Sequence, residues 1–228
     1  MIVMRVVSLV PSATESLLAL GVRPVACTRF CEQPGLLTVG GTKNPDLTAI
    51  LALAPDLVVV NDEENRRDDA DALAAAGLSV HSMSPRSVRD VGPALATLAT
   101  KLGLAPPMLE LPHARSIRAA AVTIIWRRPW MTQAGDTYGS SVLEYLGWSN
   151  PFADANDRYP SVDLDAIAQQ NPDIIVLPSE PYAFSARHVP EVAAAVPRAR
   201  VCLVDGRDLF WWGTRTPDAL NRLVTALE

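Results

Sequence analysis

The side chains able to do chemistry in this chain are largely aromatic, and they are unevenly placed. Of the Phe, Trp and Tyr residues, only Phe30 precedes residue 126. The others crowd into WRRPW (Trp126, Trp130), Tyr138, Tyr145, Trp148, Phe152, Tyr159, PYAF (Tyr182, Phe184) and LFWW (Phe210, Trp211, Trp212). Many of them adjoin Pro, Gly or Arg, where loops form. Loops at the carboxyl ends of parallel strands face the crevice in which ligands sit, so Trp126, Trp130, Tyr159, Tyr182, Phe184, Phe210, Trp211 and Trp212 are candidates to meet a ligand, with core packing as the plain alternative. Tyr145 and Trp148, beside Gly147, read as core. A second group is polar: Asn61, Asp62 and Glu63 follow one aliphatic run and Glu180 follows another. Solvation is the plain reading of such charges, and ligand contact or docking to a partner is the functional one.

Catalytic signatures are missing. There is no GxGxxG, GxxxxGK[ST] or GxSxG, so the motifs that cradle phosphates or expose a nucleophile are absent. GGTK at 40–43 lacks the upstream glycine of a phosphate loop. His81, His113 and His188 match no zinc spacing. Neither a metal site nor a resident cofactor is expected. The cysteines Cys27, Cys31 and Cys202 are too few for a disulfide framework and fit a reducing compartment. Cys27 and Cys31 lie four apart, a spacing open to metal or redox chemistry, or simply to two small buried side chains.

The elements that position these residues follow from an internal repeat. Shifted by 117 positions, LTAILALAPDLVVVNDE (47–63) overlies LDAIAQQNPDIIVLPSE (164–180), with Leu47/Leu164, Ala49/Ala166, Ile50/Ile167, Pro55/Pro172, Asp56/Asp173, Val59/Val176 and Glu63/Glu180 identical. Each copy reads as a short amphipathic helix that stops before proline, a Pro-Asp turn, and an aliphatic strand covered on both faces in a parallel sheet. Upstream, ESLLALG (15–21) and SVLEYLG (141–147) read as helix ends closed by glycine. In the first, Ser12 or Thr14 is the expected N-cap. The pattern predicts strands at 4–10, 23–27, 56–60, 78–82, 121–126, 173–177 and 200–204. Helices are expected at 13–20, 46–53, 66–76, 87–102, 139–146, 163–170, 189–195 and 216–227. Alternating strands and helices imply parallel βαβ units. The fold class is therefore α/β, with two related Rossmann-like lobes at 1–103 and 121–228. Pro106, Pro107 and Pro112 rule out a long straight helix across the connector at 104–120.

Composition narrows the partners. The 228 residues are 49% hydrophobic, enough for a sizeable core, with a net charge of -5. The chain has no basic tract to neutralise a phosphate backbone, so nucleic acid is not an expected partner. No apolar run approaches the length of a membrane span. The first residues lack a secretory pattern, so the chain as written is expected in the cytoplasm, and outside it if the true start lies upstream.

RVVSLVPSATESLLALG, VGGTKNPDLTAILALAPDLVV and RYPSVDLDAIAQQNPDIIVLPSEP together resemble the class III, helical-backbone periplasmic binding proteins. These serve ABC importers of vitamin B12, haem and ferric siderophores, and the vitamin B12-binding members look most alike. The resemblance implies two lobes with a ligand held between them and little hinge motion. It implies a large metal chelate such as a corrinoid as ligand, and an ABC permease as partner. Carried over by position, it implies ligand contacts at Phe30, Thr42, Lys43, Asn61, Asp62, Trp126, Arg127, Trp130, Arg158, Tyr159, Asp208, Phe210 and Trp211, to which the placement of the aromatics adds Tyr182. The family docks through one glutamate on each lobe. Arg67 stands at the first of these places, leaving Glu63, Glu64 and Glu180 as docking candidates. Where the family joins its lobes by one long helix, a shortened, proline-rich tether is expected. The alternatives are a siderophore or haem binder, or an enzyme on this scaffold acting on a metal-bound macrocycle through Asp62, Glu63 or Arg127.

Overall fold

The computed structural model describes residues 4–228. The chain divides into two compact units, one comprising Met1–Pro85, Arg89–Leu109 and Trp212–Arg215, the other Arg86–Val88, Glu110–Trp211 and Thr216–Glu228. The first unit carries β1 (Val6–Ser8), α1 (Pro11–Ala19), β2 (Ala26–Cys27), β3 (Leu37–Thr38), α2 (Leu47–Ala52), β4 (Leu57–Val60), α3 (Arg67–Ala75), β5 (Val80–Ser82) and most of α4 (Val88–Lys101). Its sheet is parallel in the order β3-β2-β1-β4-β5. The second unit carries β6 (Ala119–Thr123), β7 (Trp130–Met131), α5 (Tyr138–Tyr145), β8 (Trp148–Ser149), β9 (Ser161–Val162), α6 (Leu164–Gln169), β10 (Ile174–Pro178), α7 (Val189–Ala195), β11 (Arg200–Val204), α8 (Gly206–Phe210) and α9 (Thr216–Leu227). Its main sheet is parallel, β11-β10-β6-β8, and β7 and β9 form a separate antiparallel pair.

The repeat holds at the level of single hydrogen bonds. Asp46 caps α2 by accepting from the Ala49 N–H at 3.0 Å, and Asp163, 117 positions on, caps α6 through Ala166 at 2.6 Å. Ala54 (φ 43°) and Asn171 (φ 49°) then turn left-handed just before Pro55 and Pro172, where the helix cannot continue. In each Pro-Asp turn the aspartate reaches sideways as well. Asp56 accepts from the Arg5 N–H and Asp173 from the Ala120 N–H, both at 2.7 Å. Each carboxylate thereby sets the register of the neighbouring strand, Val6 opposite Leu57 and Ala121 opposite Ile174. The strands that follow are buried along their whole length. Val7, Ile50 and Val58 sit in the core of the first unit, and the equivalent Ile167 and Ile175 in that of the second.

Helix ends show where local chemistry was read well and where it was not. Gly21 (φ 78°) and Gly147 (φ 89°) both take the left-handed cap conformation. The expected cap at Ser12 or Thr14 does not form. Pro11 occupies the first turn of α1 and Val10 is the uncapped N-cap residue, because proline's fixed φ already suits the first helical position. Thr14 and Ser16 instead donate back to the carbonyls of Val10 (2.9 Å) and Ser12 (2.8 Å). After α4, residues 104–118 form neither helix nor strand. Within the second unit that stretch is fastened by Tyr145, whose hydroxyl donates to the Pro112 carbonyl at 2.7 Å, and by the Arg115 N–H on the Tyr145 carbonyl at 2.9 Å.

Candidate functional site

A parallel sheet in which successive strands are added first on one side and then on the other leaves a crevice at the carboxyl ends of the two strands where the order switches. In the first unit those strands are β1 and β4, and in the second β6 and β10. The candidate residues gather at both places.

In the first unit the switch point is closed by two asparagines. Asn61, 3% exposed, donates to the Met83 carbonyl (2.7 Å) and accepts from the N–H groups of Glu63 (2.8 Å) and Glu64 (3.0 Å). Asn65, 6% exposed, accepts from the Asn61 N–H (2.8 Å) and donates to the carbonyls of Leu9 (3.2 Å) and Thr42 (2.9 Å). One amide thus ties the ends of β1 and β4 to the GGTK loop. Asn61 serves the loop rather than projecting from it, whereas Asp62 and Lys43 are exposed. The Lys43 ammonium donates to the Glu63 carbonyl at 2.5 Å. Phe30 stands 48% exposed with the Arg29 guanidinium 4.8 Å from its ring centre. A Cβ on Gly41 would meet Asn44 Oδ1 at 2.7 Å and Phe30 Cε2 at 3.2 Å, so a larger residue there would displace the Asn44 side chain. Arg67 opens α3 on the surface and pairs with Asp71.

In the second unit the loops after β6 and β10 meet through aromatic rings. Trp126, 42% exposed, packs edge-on against Tyr182 at 5.6 Å. Tyr182 lies 4.7 Å from the buried Phe184, which stacks on Trp130 at 6.4 Å. His188, buried, contacts both Tyr182 and Phe184 edge-on, and its Nδ1 accepts from the Ser185 N–H at 3.0 Å. The outer rings therefore rest on a packed inner layer. Arg127 braces WRRPW, with Glu191 of α7 accepting from its Nε and Nη2, both at 3.0 Å. The pairing raises its pKa above the usual guanidinium range, with Glu191 the leading cause. The β7–β9 pair brings Arg158 and Tyr159 alongside: Arg158 donates to the Asp136 carbonyl at 2.8 and 2.6 Å, and its guanidinium sits 5.7 Å from the Tyr159 ring centre.

The last group lies on α8, a short helix capped by Asp205 where a loop was expected. Five residues are too few for a hydrophobic period to show. Asp208 is buried and accepts from Arg222 of α9 at 2.8 and 2.7 Å, so it fastens α8 to α9. Phe210 packs over Gly139, where a Cβ would come within 2.7 Å of its ring, and Arg207 covers Trp211 at 5.0 Å. Trp212 is buried. Glu180 begins the loop after β10, and a Cβ on Gly206 would meet its backbone N–H at 2.6 Å.

Two concave spaces, one within each unit, are small. One of about 230 Å³ is lined by Ala168, Asn171, Pro172, Val196, Pro197 and Arg198, and one of about 190 Å³ by His81, Ser82, Met83, Ser84, Pro85, Asp90, Ala94 and Thr97. Both fall below the roughly 300 Å³ at which drug-sized ligand pockets begin. Among the described residues no cluster of three or more His, Cys, Asp or Glu is placed to hold a metal ion, and no helix is long and apolar enough to cross a membrane. The exposed aromatic faces suit a large flat ligand better than either cavity does.

Residues 6–185 match a family model described as "Periplasmic binding protein". The chain is 26% identical to a vitamin B12-binding protein of Vibrio vulnificus, over 74% of this chain and 68% of that one. It is 28% identical to a vitamin B12-binding protein of Yersinia pestis, over 76% and 69%. Among solved structures it superposes on the periplasmic vitamin B12 binding protein BtuF of Vibrio cholerae with a TM-score of 0.79 at 20% identity, covering 98% of this chain and 96% of that one. It superposes on the periplasmic heme-binding protein BhuT, solved with two hemes, with a TM-score of 0.80 at 20% identity, covering 98% and 97%.

Proposed function

The chain belongs to the periplasmic binding protein family, and from that premise we propose that it binds a corrinoid or a similarly large metal chelate and delivers it to an ABC permease. The observation that carries this reading is the aromatic platform at the second unit's switch point, where Trp126 and Tyr182 are backed by Phe184, Trp130 and His188. Flat apolar faces with a few polar groups beside them are what a planar, amide-fringed ring requires. Relatives named for vitamin B12 support the corrinoid, and the heme-binding neighbour keeps a porphyrin as the second reading.

In this reading Trp126, Arg127, Trp130, Arg158, Tyr159, Tyr182, Phe210 and Trp211 of the second unit contact the ligand, and Phe30, Thr42, Lys43 and Asp62 are the candidate contacts within the first. Asn61 and Asp208 position their neighbours. Glu63, Glu64 and Glu180 face the permease. The protein works outside the cytoplasmic membrane, a location supported by the description of its family as periplasmic and the second of the two locations that the sequence left open. No catalytic step is assigned, and the enzyme alternative gains no support from the family. Mixing the protein with cyanocobalamin, cobinamide, haemin and a ferric siderophore and passing each mixture through a desalting column tests the reading. Visible absorbance of one chelate should travel with the protein at one equivalent. Elution of all four free would reject it.

A further inference from the structure

Two of the guanidinium groups beside the second unit's rings are already held by acids. Arg127, in the turn between Trp126 and Trp130, lies 5.4 Å from the Trp130 ring centre, and Glu191, in the first turn of α7, accepts from its Nε and its Nη2, both at 3.0 Å. The pair uses one whole edge of the guanidinium, the bidentate geometry that suits a carboxylate. Arg158 repeats the arrangement on the β7–β9 pair. It sits 5.7 Å from the Tyr159 ring centre and donates to the Asp136 carbonyl, and its Nε lies 3.4 Å from the Asp136 carboxylate, which also accepts from Arg86 at 3.3 Å. The side chains of Glu191 and Asp136 are 43% and 66% exposed, so both acids remain open to an incoming charged group.

We propose that Glu191 and Asp136 are specificity-determining residues: by neutralising Arg127, Arg158 and Arg86 they make the ring platform favour an amide-fringed chelate over a carboxylate-fringed one. This rests on the reading of those rings as the ligand platform and deepens it by naming the class of ring. Stacking does not make the choice, since a corrin and a porphyrin both offer large flat faces. The fringe does. A porphyrin with two propionates brings two negative charges, and the cost of taking them out of water is offset only by good pairing. At Arg127 a propionate would have to share the guanidinium with Glu191, and carboxylates that share one site repel. An amide meets no such conflict. Its N–H groups donate to the same carboxylates and its oxygen accepts from the guanidinium N–H groups they leave. A repulsive element of this kind selects by acting against the wrong ligand. Arg128, exposed in the same turn, keeps its charge in every variant below and so cancels in the ratios measured.

The test is absorbance titration of the full chain with three probes: dicyanocobinamide; dicyanocobyrinic acid, which has the same ring and metal but carboxylates in place of amides; and haemin. Wild type should bind dicyanocobinamide about tenfold or more tightly than either acid, as a like-charge contact costs enough to give that ratio. Glu191→Gln keeps the size of the side chain and a hydrogen-bond acceptor but removes the charge. It should tighten both acids severalfold while moving dicyanocobinamide less than about twofold, the scale of an exposed pair. Asp136→Asn should act in the same direction, and the gain at Glu191→Gln should vanish when Arg127→Gln is added. A purely structural role for Glu191 would weaken all three probes together and leave their ratios unchanged, which overturns the proposal, as does a wild type that prefers either acid. If wild type binds dicyanocobinamide and no ratio moves, the ligand reading stands and the specificity claim falls. If it binds none of the three, the platform falls with it. Circular dichroism confirms the fold of each variant, and should Glu191→Gln not fold, Asp136→Asn and the wild-type preference decide.

Discussion

Replacing Asn65 with alanine should cost far more than its place in a polar loop suggests. The side chain is 6% exposed and makes three hydrogen bonds, to the Asn61 N–H and to the carbonyls of Leu9 and Thr42. At about 1 kcal/mol net for each bond the loss comes to about 3 kcal/mol. The Asn61 N–H, in a residue 3% exposed, would then be left unpaired, so the figure is not offset by solvation. A change of this size alters the folding equilibrium roughly a hundredfold and is a large share of the about 5–15 kcal/mol that holds a typical domain together. Lys43 is the control: it belongs to the same loop cluster but is exposed and makes one bond to a carbonyl, so Lys43→Ala should stay within about 0.5 kcal/mol. Urea unfolding followed by circular dichroism measures both. An Asn65→Ala midpoint no lower than that of Lys43→Ala would refute the claim that this amide holds the switch point together.

The repeat predicts that Asp56→Ala and Asp173→Ala cost nearly the same, about 1 kcal/mol each, because each removes one backbone hydrogen bond at 2.7 Å from an exposed carboxylate; widely different urea midpoints would break the equivalence. Burial, aided by Lys101, lowers the His81 pKa from its ordinary value, so the unfolded chain takes up a proton near pH 6.5 while the folded protein does not. Stability should therefore fall as pH drops from about 6.5 toward the lower folded value, and His81→Gln should flatten that slope in unfolding midpoints between pH 7 and pH 5. Trp126→Ala should weaken ligand binding severalfold, from the loss of about 0.5–1.5 kcal/mol of stacking beyond area burial, with little change in melting temperature, since the ring is 42% exposed. Normal binding together with early melting would assign the ring to the core.

Much of the architecture was legible because it rests on local rules. A helix that must stop before proline, followed by four aliphatic residues, can hardly do anything but enter a buried parallel strand, and the second copy repeats the first. The sideways reach of Asp56 and Asp173 was hidden, since Pro-Asp reads as a turn whether or not the carboxylate finds a neighbouring strand. Asn65 was missed for a related reason. Its value comes from three segments distant in sequence, Leu9, Thr42 and Asn61, converging on one amide, and the only local signal was a second asparagine four residues after Asn61, behind a buried strand. The two-residue strands of the β7–β9 pair and the five-residue α8 are too short to show a period. Asp208 was therefore expected as a ligand contact, whereas it is buried and paired with Arg222, fourteen residues on. Phe184 illustrates the ambiguity of aromatics: it belongs to the same cluster as Trp126 but lies beneath it, and residue type alone cannot separate the two roles.

In the proposed function a large flat chelate rests on the rings gathered at the second unit's switch point. A crystal structure of the protein loaded with whichever chelate co-elutes with it tests this most directly. The macrocycle should lie in van der Waals contact with Trp126 and Tyr182, with Phe184 and His188 packed unchanged behind them. A chelate bound away from both rings, or held through a protein–metal bond with its faces untouched by aromatic side chains, would contradict it.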